Sequence, residues 1–143
     1  MTVGRILAVK GHDVVTTQPH RTLAEIARVL ADKGIGAVIV TGADGSVLGI
    51  LSERDIIRAL ARGGTAALGD AVSRHMTAKV VTATEDTSVV SVMEDMTEGR
   101  FRHVPVLKAG KLHGLVSIGD VVKHRLAEVE GEHQALREYI ATA

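Results

Sequence analysis

The sequence predicts a mixed α/β (α+β) fold built from two tandem copies of one β-α-β-β-α unit, packed sheet to sheet about an approximate twofold axis. Three observations lead there. VVTTQPHRTLAEIARVLADKGIGAVIV, starting at Val14, lies over VVTATEDTSVVSVMEDMTEGRFRHVPV, starting at Val80, at a constant offset of 66. GILSERD, ending at Asp55, returns as GLVSIGD, ending at Asp120, with the offset reduced to 65 by one residue lost in the intervening turn, where a repeat tolerates a deletion. The apolar residues also switch from helical to strand period in the same order in both copies.

The elements follow in sequence. A short strand opens each unit, at Val14 to Thr16 and at Val80 to Thr82. Leu23, Ile26, Ala27 and Leu30 then recur at helical spacing, and their partners Val89, Val92, Met93 and Met96 keep it, so each copy carries an amphipathic helix. Thr22 with Glu25 reads as a capping box, and Ser88 stands in the matching N-cap place. Two strands come next, Ala37 to Val40 and Val47 to Leu51, joined by the turn sequence GADG. Their counterparts are Val104 to Leu107 and Leu112 to Val116, joined by KAGK. A second helix begins just after Ser52 and again after Ser117, with Ile56 and Ile57 answered by Val121 and Val122.

One such unit buries too little surface to be comfortable alone, so the two are expected to intertwine. Val3, Ile6 and Leu7 near the start, and Val72, His75 and Met76 in the linking stretch Arg62 to Lys79, sit at helical spacing. Each unit is thereby given its own run-in segment. The resulting division is residues 1–66, 67–127 and a C-terminal helix at 128–143. In that last stretch Leu126, Val129, His133, Leu136 and Ile140 step three and four residues apart, a helical seam. It either caps the molecule's own core or forms a dimer contact.

Composition excludes several functions. Lys plus Arg equals Asp plus Glu at 17 each, and there is one Phe, one Tyr and no Trp. Neither a basic excess nor stacking platforms for nucleic acid are present. Without cysteine there is no disulfide, thiolate nucleophile or cysteine-held zinc. The seven histidines show no helical pair at ligand spacing, and no GxSxG elbow accompanies the serines. No signal-like or membrane-spanning apolar run appears. The expectation is a cytoplasmic protein without catalysis, without a catalytic cofactor and without nucleic-acid or membrane partners.

Tandem β-α-β-β-α units with GILSERD and GLVSIGD at matching places, a VxT opening and RHVPV on one central strand resemble the CBS-domain pair, also called a Bateman module. The match runs from about Thr2 to Leu126, and the double occurrence makes it far more specific than either motif alone. No catalytic or channel domain is attached, so the chain looks like a stand-alone CBS pair.

The Ser-x-x-Asp element has a structural reading first, because Ser at an N-cap with an acidic residue one turn later starts many helices. A ligand adds to the same physics. Free N–H groups at a helix N-terminus receive a phosphate, and the carboxylate accepts hydrogen bonds from two ribose hydroxyls. The resemblance implies that the Asp holds the ribose, the Ser reaches toward phosphate, and the preceding strand and opening segment line an adenine slot. Carried over by position, one site uses Ser117 and Asp120, with Thr82, Arg102, His103, Val104 and Pro105 around it. The other uses Ser52 and Asp55, with Thr16, Gly36, Ala37 and Val38. Arg54 and Arg58 could serve a phosphate or be solvated charges, and Glu53 opposes one.

The implied ligand is an adenosine nucleotide, AMP, ADP, ATP or NAD(H), bound by an energy or redox sensor that forms a homodimer and signals to an unidentified protein. The alternative is a ligand-free structural or protein-interaction module in which Ser52 and Ser117 are only caps.

Overall fold

The computed structural model describes residues 1–142. The chain opens with helix α1 (Val3–Lys10), a two-residue strand β1 (Thr16–Thr17) and helix α2 (Leu23–Lys33). Strands β2 (Ala37–Thr41) and β3 (Val47–Ser52) lead into helix α3 (Glu53–Gly63), a 3-10 turn (Gly64–Gly69) and the short helix α4 (Val72–His75). The second repeat supplies helix α5 (Val89–Gly99), strands β4 (His103–Lys108) and β5 (Lys111–Ser117), and the long helix α6 (Ile118–Thr142).

Local chemistry sets the helix ends. Thr22 Oγ1 accepts the Glu25 N–H at 3.2 Å and Ser88 Oγ the Ser91 N–H at 3.1 Å, each satisfying one of the free donors of a first turn. Gly34 closes α2 in the left-handed region at φ 63°, and its repeat counterpart Arg100 closes α5 there at φ 56°.

The first sheet has the order β1-β2-β3, with β1 parallel to β2 and β2 antiparallel to β3; the second holds β4 and β5, antiparallel. The opening strand expected at Val80 to Thr82 does not form. Only Ala83 bridges Val106, the counterpart of Thr17 against Val40. The cause is Pro105, which occupies the place of Ile39. Ile39 donates its N–H to the Val15 carbonyl at 3.1 Å, and proline has no N–H to give. In the first copy the strand is Thr16–Thr17, beginning two residues later than expected.

The core divides into two clusters, one per repeat. Leu23, Ile26, Leu30, Val38, Val40, Leu51 and Ile56 form the first, with Ala67 and Val72 from the linking stretch. Val89, Val92, Met96, Val104, Val106, Val116 and Val121 form the second, with Val3, Ile6 and Leu7 of α1. The run-in segments are therefore exchanged, which corrects the expectation that each unit has its own: α1 completes the second repeat and α4 the first. Backbone bonds fix the exchange. Val3 N–H donates to Thr87 O at 2.9 Å and Val89 N–H to Met1 O at 3.0 Å, while Leu23 N–H donates to Asp70 O at 3.0 Å and Val72 N–H to Arg21 O at 2.7 Å.

β2 buries both its faces. Val38 and Val40 point into the first cluster, and Ala37 and Ile39 on the opposite face are buried as well. This is why the segment reads as a continuous apolar run rather than an alternating one.

Helix α6 continues without a break from the second repeat into the C-terminal arm, and residues 131–142 are exposed throughout. The arm therefore caps no core of its own chain. No described helix is long and apolar enough to cross a membrane.

Two repeat-related glycines mark where the exchanged segments cross the sheets. A Cβ at Gly49 would lie 2.7 Å from the Thr77 carbonyl oxygen, and one at Gly114 would lie 2.8 Å from a Leu7 methyl. The side chain can turn aside and the backbone cannot. Gly49→Ala is expected to destabilise by about 1–3 kcal/mol and Gly114→Ala by less, as read from urea unfolding midpoints; the reverse order would contradict the packing described.

Candidate functional site

Both Ser-x-x-Asp elements fold into reciprocal caps. Asp55 Oδ2 accepts the Ser52 N–H at 2.9 Å and the Ser52 hydroxyl at 3.1 Å, and the Asp55 N–H donates back to Ser52 Oγ at 3.4 Å. At the second element Asp120 Oδ2 accepts the Ser117 N–H and hydroxyl, each at 2.9 Å, and the Asp120 N–H donates to Ser117 Oγ at 3.2 Å. Each helix start is also pinned to the residue entering the central strand: Glu53 N–H donates to Gly36 O at 2.9 Å and Ile118 N–H to Arg102 O at 2.8 Å. The caps thus aim the first turns of α3 and α6 at the space between the repeats.

At the α3 end a cleft of about 700 Å³ opens, lined by both repeats. Gly36, Ile50, Ser52, Asp55 and Thr77 come from one side, and Gly99 to His103 from the other. Arg54, Arg58, Lys79, Arg100 and Arg102 bring five cations to its walls against the two carboxylates of Glu53 and Asp55. None of the five is in an ion pair among the described residues. Arg54 instead donates from Nη1 to the Arg100 carbonyl at 3.1 Å, where the C-terminus of α5 leaves an acceptor unused and carries partial negative charge. That bond ties the two repeats together across the cleft and keeps the guanidinium at its edge.

Asp55 is the one buried charged residue of the described chain, 8% exposed. Its Oδ2 is taken up by the cap. Its Oδ1 meets only the Thr77 hydroxyl, at a long 3.4 Å, which leaves acceptor capacity for a ligand.

His103 begins β4, yet its ring reaches across to the first repeat: a Cβ on Gly36 would lie 3.5 Å from His103 Cε1. Burial holds its pKa below the ordinary value of 6.5; Lys10 and Arg102 push the same way, and Glu53 and Asp120 oppose them. The imidazole is consequently neutral near pH 7.

The Ser117 end is different. Lys10 Nζ, from the last turn of α1, lies 2.6 Å from Asp120 Oδ2 and donates to the Leu115 carbonyl at 2.7 Å. Burial raises the Asp120 carboxyl, but the Lys10 ammonium and the Ser117 N–H and hydroxyl outweigh it and hold the pKa below the ordinary 3.8.

The expected site residues thus separate. Ser52, Arg54, Asp55 and Gly36 meet in one cleft, joined by Arg102 and His103, which position alone had assigned to the Ser117 site. Ser117 and Asp120 lie at the other end, with Lys10 upon them. Ala37, Val104 and Pro105 are buried in the sheets. Val38 is fully buried and, with exposed Thr16, borders a separate depression beside Gln18 and Arg21. Thr82 is exposed in the segment before Ala83.

Sequence reasoning missed Thr77, Lys79, Arg100 and Lys10. Arg100 carried a legible signal, a bulky residue where the first repeat has the helix-ending Gly34. The others lie outside the repeat's motifs. Among the described residues no group of three or more His, Cys, Asp or Glu is placed to hold a metal ion.

The family model described as CBS domain matches residues 5–62 and again 70–127. A solved CBS-domain containing protein from Agrobacterium tumefaciens is 50% identical, with a TM-score of 0.85 over 87% of this chain and 99% of that one. The CBS domain pair of protein MJ0100, solved with 5-methylthioadenosine and S-adenosyl-L-methionine, is 25% identical, with a TM-score of 0.79 over 90% and 98% of the two chains. A CBS domain protein from Pyrobaculum aerophilum complexed with AMP is 27% identical, with a TM-score of 0.74 over 84% and 89%.

Two outcomes are expected. Arg100 holds a left-handed conformation that costs a non-glycine residue about 1 kcal/mol, so Arg100→Gly is expected to raise the unfolding midpoint slightly while removing a cleft cation. Chemical denaturation checks it, and a loss of stability would show that the Arg100 side chain outweighs its backbone strain. In an NMR titration the His103 ring is expected to gain its proton below pH 6.5. With the folded value lowered, the unfolded state takes up the proton first, and stability falls as pH drops from about 6.5 toward the folded value. A midpoint at or above 6.5 would contradict the buried placement.

Proposed function

Since the chain belongs to the CBS domain family, as a tandem pair of such domains, we propose that it is a non-catalytic regulatory module that binds an adenosine nucleotide between its repeats. The observation that carries the reading is the cleft at α3, where a helix N-terminus, a Ser and Asp pair and five cations meet without an ion pair among them. Each part answers a part of the ligand. Asp55 Oδ1 accepts the ribose hydroxyls, and the α3 N-terminus with Ser52 receives the first phosphate. Arg54, Arg58, Lys79, Arg100 and Arg102 take the rest of the negative charge. AMP bound to the Pyrobaculum relative supports the same ligand class.

The charge of the cleft orders the candidates. S-adenosylmethionine, bound by the MJ0100 pair, carries a sulfonium and an ammonium against one carboxylate and so gains less from these arginines than a phosphorylated adenosine does. AMP, ADP, ATP and NAD(H) all bring phosphate, and ADP and ATP fit the cation count best. Signalling follows from the lining: Gly36 and Asp55 belong to one repeat and Arg100 to His103 to the other, so a bound nucleotide favours the arrangement in which both reach it. That is the behaviour of an energy or redox sensor.

The reading includes a homodimer. Ile57 on α3 is 63% exposed and its repeat counterpart Val122 on α6 is 47% exposed, which leaves related apolar faces on both repeats without cover. Along the α6 arm Leu136 and Ile140 are 57% and 65% exposed, and burial between two copies removes them from water. The regulated partner would be a separate protein in the cytoplasm that reads the dimer surface.

Thermal unfolding against AMP, ADP, ATP, NAD, NADH and S-adenosylmethionine, after stripping any copurified ligand, tests the ligand. A nucleotide at about 100 times its dissociation constant is expected to add about 2.7 kcal/mol, a shift of several degrees. Asp55→Ala is expected to abolish the shift while costing about 1 kcal/mol for the lost cap. A flat panel would favour a ligand-free interaction module. Light scattering checks the dimer: a mass near the 15.1 kDa of one chain would overturn it.

A further inference from the structure

Helix α6 carries an apolar seam that its own chain leaves uncovered. The helix packs on α5, β5 and α1; on that side Val121 is buried and His124, Arg125 and Glu128 are half-buried. Beside that face runs a second stripe, Val122, Leu126, Val129, His133, Leu136 and Ile140, stepping alternately four and three residues. All of it except half-buried Val129 is exposed. Gly131 falls on the side of the helix away from the stripe and leaves the seam unbroken. The CBS family model ends at residue 127, so most of the arm lies beyond what that model describes. A helical segment this short gains little from its own hydrogen bonds in water, and covering its apolar stripe is what would stabilise it.

The charges beside the stripe identify what covers it. Leu126, His133 and Ile140 take the first position of a seven-residue repeat and Val122, Val129 and Leu136 the fourth. The flanking positions then hold Arg125 and Glu132 on one side and Glu130 and Arg137 on the other. Two copies laid side by side in the same direction bring each residue of the first flank to the one five positions on in the partner. Arg125 meets the partner's Glu130, and Glu132 the partner's Arg137, all opposite charges. Two copies laid in opposite directions over the same length bring Glu130 to the partner's Glu130, Glu132 to the partner's Glu132 and Arg137 to the partner's Lys123, all like charges. Arg125 already lies 3.2 Å from Glu128 of its own helix, but Glu132 and Arg137 enter no ion pair among the described residues. The seam itself sets the register: in the parallel pair His133 meets its own copy, and one polar residue at such an inner position fixes the alignment at a cost in stability.

We propose that the arm is a parallel, in-register zipper joining two copies of this chain, with His133 against the partner's His133 and Glu132 paired with the partner's Arg137. The proposal rests on the homodimer reading above and adds to it which segment holds the dimer and in which direction. It places both repeat pairs at the same end of the zipper, with Val122 carrying the seam from the arms to the bodies.

Sedimentation equilibrium of the full chain tests it. The unaltered protein is expected at the mass of two chains and Leu136→Asp at the mass of one, with circular dichroism checking that the repeats stay folded. Glu132→Arg and Arg137→Glu are each expected to weaken the dimer about tenfold, because each turns two attractive contacts into repulsive ones; the two together are expected to restore it. His133→Ile is expected to tighten it. Since the chain has no cysteine, Ile140→Cys is expected to yield a disulfide-linked dimer with oxidised glutathione, a bond that an antiparallel pair would hold its sulfurs too far apart to form. A monomeric unaltered chain would overturn both the homodimer reading and the zipper. A dimer indifferent to Leu136→Asp would overturn the zipper and leave the homodimer reading intact. So would a dimer that Ile140→Cys fails to cross-link, that the single charge reversals leave unweakened or that His133→Ile fails to tighten.

Discussion

The exchange of run-in helices is the constraint on which the rest of the molecule depends. Each repeat offers one helix-covered face of a small sheet, and neither has enough apolar surface to close its own core. Leu7 and Val3 complete the second cluster, and Val72 and Ala67 complete the first. Either repeat without the other's segment would expose valines and leucines that are now fully buried. The exchange also fixes where the repeats stand, since Met1, Thr87, Arg21 and Asp70 clamp the crossing segments by backbone bonds. The cleft between them is a by-product of that clamp.

The same crossings explain why two nearly identical motifs end in different surroundings. The segment after α4 passes the α3 end with a threonine and a lysine, Thr77 and Lys79, which line the cleft. The last turn of α1 passes the α6 end with Lys10 upon Asp120. An approximate twofold axis relates the caps, and the crossing residues break it. A protein made of one motif written twice therefore surrounds its two capping carboxylates differently: Asp55 is buried beside the Thr77 hydroxyl, and Asp120 is paired with Lys10.

The capping aspartates anchor the starts of α3 and α6. Asp55 spends Oδ2 on Ser52 and the helix start and turns Oδ1 toward the cleft. Burial strengthens the cap, because hydrogen bonds to a carboxylate gain in a low-dielectric setting. Arg54 does something similar for the walls: its bond to Arg100 O ties the two repeats together across the cleft.

Much of this was legible in the chain. The offsets of 66 and 65 and the period changes determined the repeat, its helices, four of its strands and the Ser-x-x-Asp caps, because these depend on contacts within a few residues. Pro105 stood in plain view, but its effect on Val80 to Thr82 depended on which carbonyl the missing N–H would have met. The partner of Asp120 and the residues that the second repeat and the linking stretch bring to the α3 cleft were much less legible. Lys10 meets Asp120 across 110 residues, and Arg102 and His103 line the first cleft while also adjoining the second element, His103 opposite Ser117 in the strand pair and Arg102 O accepting the Ile118 N–H. Local patterns specify an element and its cap; only the packing of the repeats decides which distant side chain arrives at that cap, because charge and shape act through space and not along the sequence.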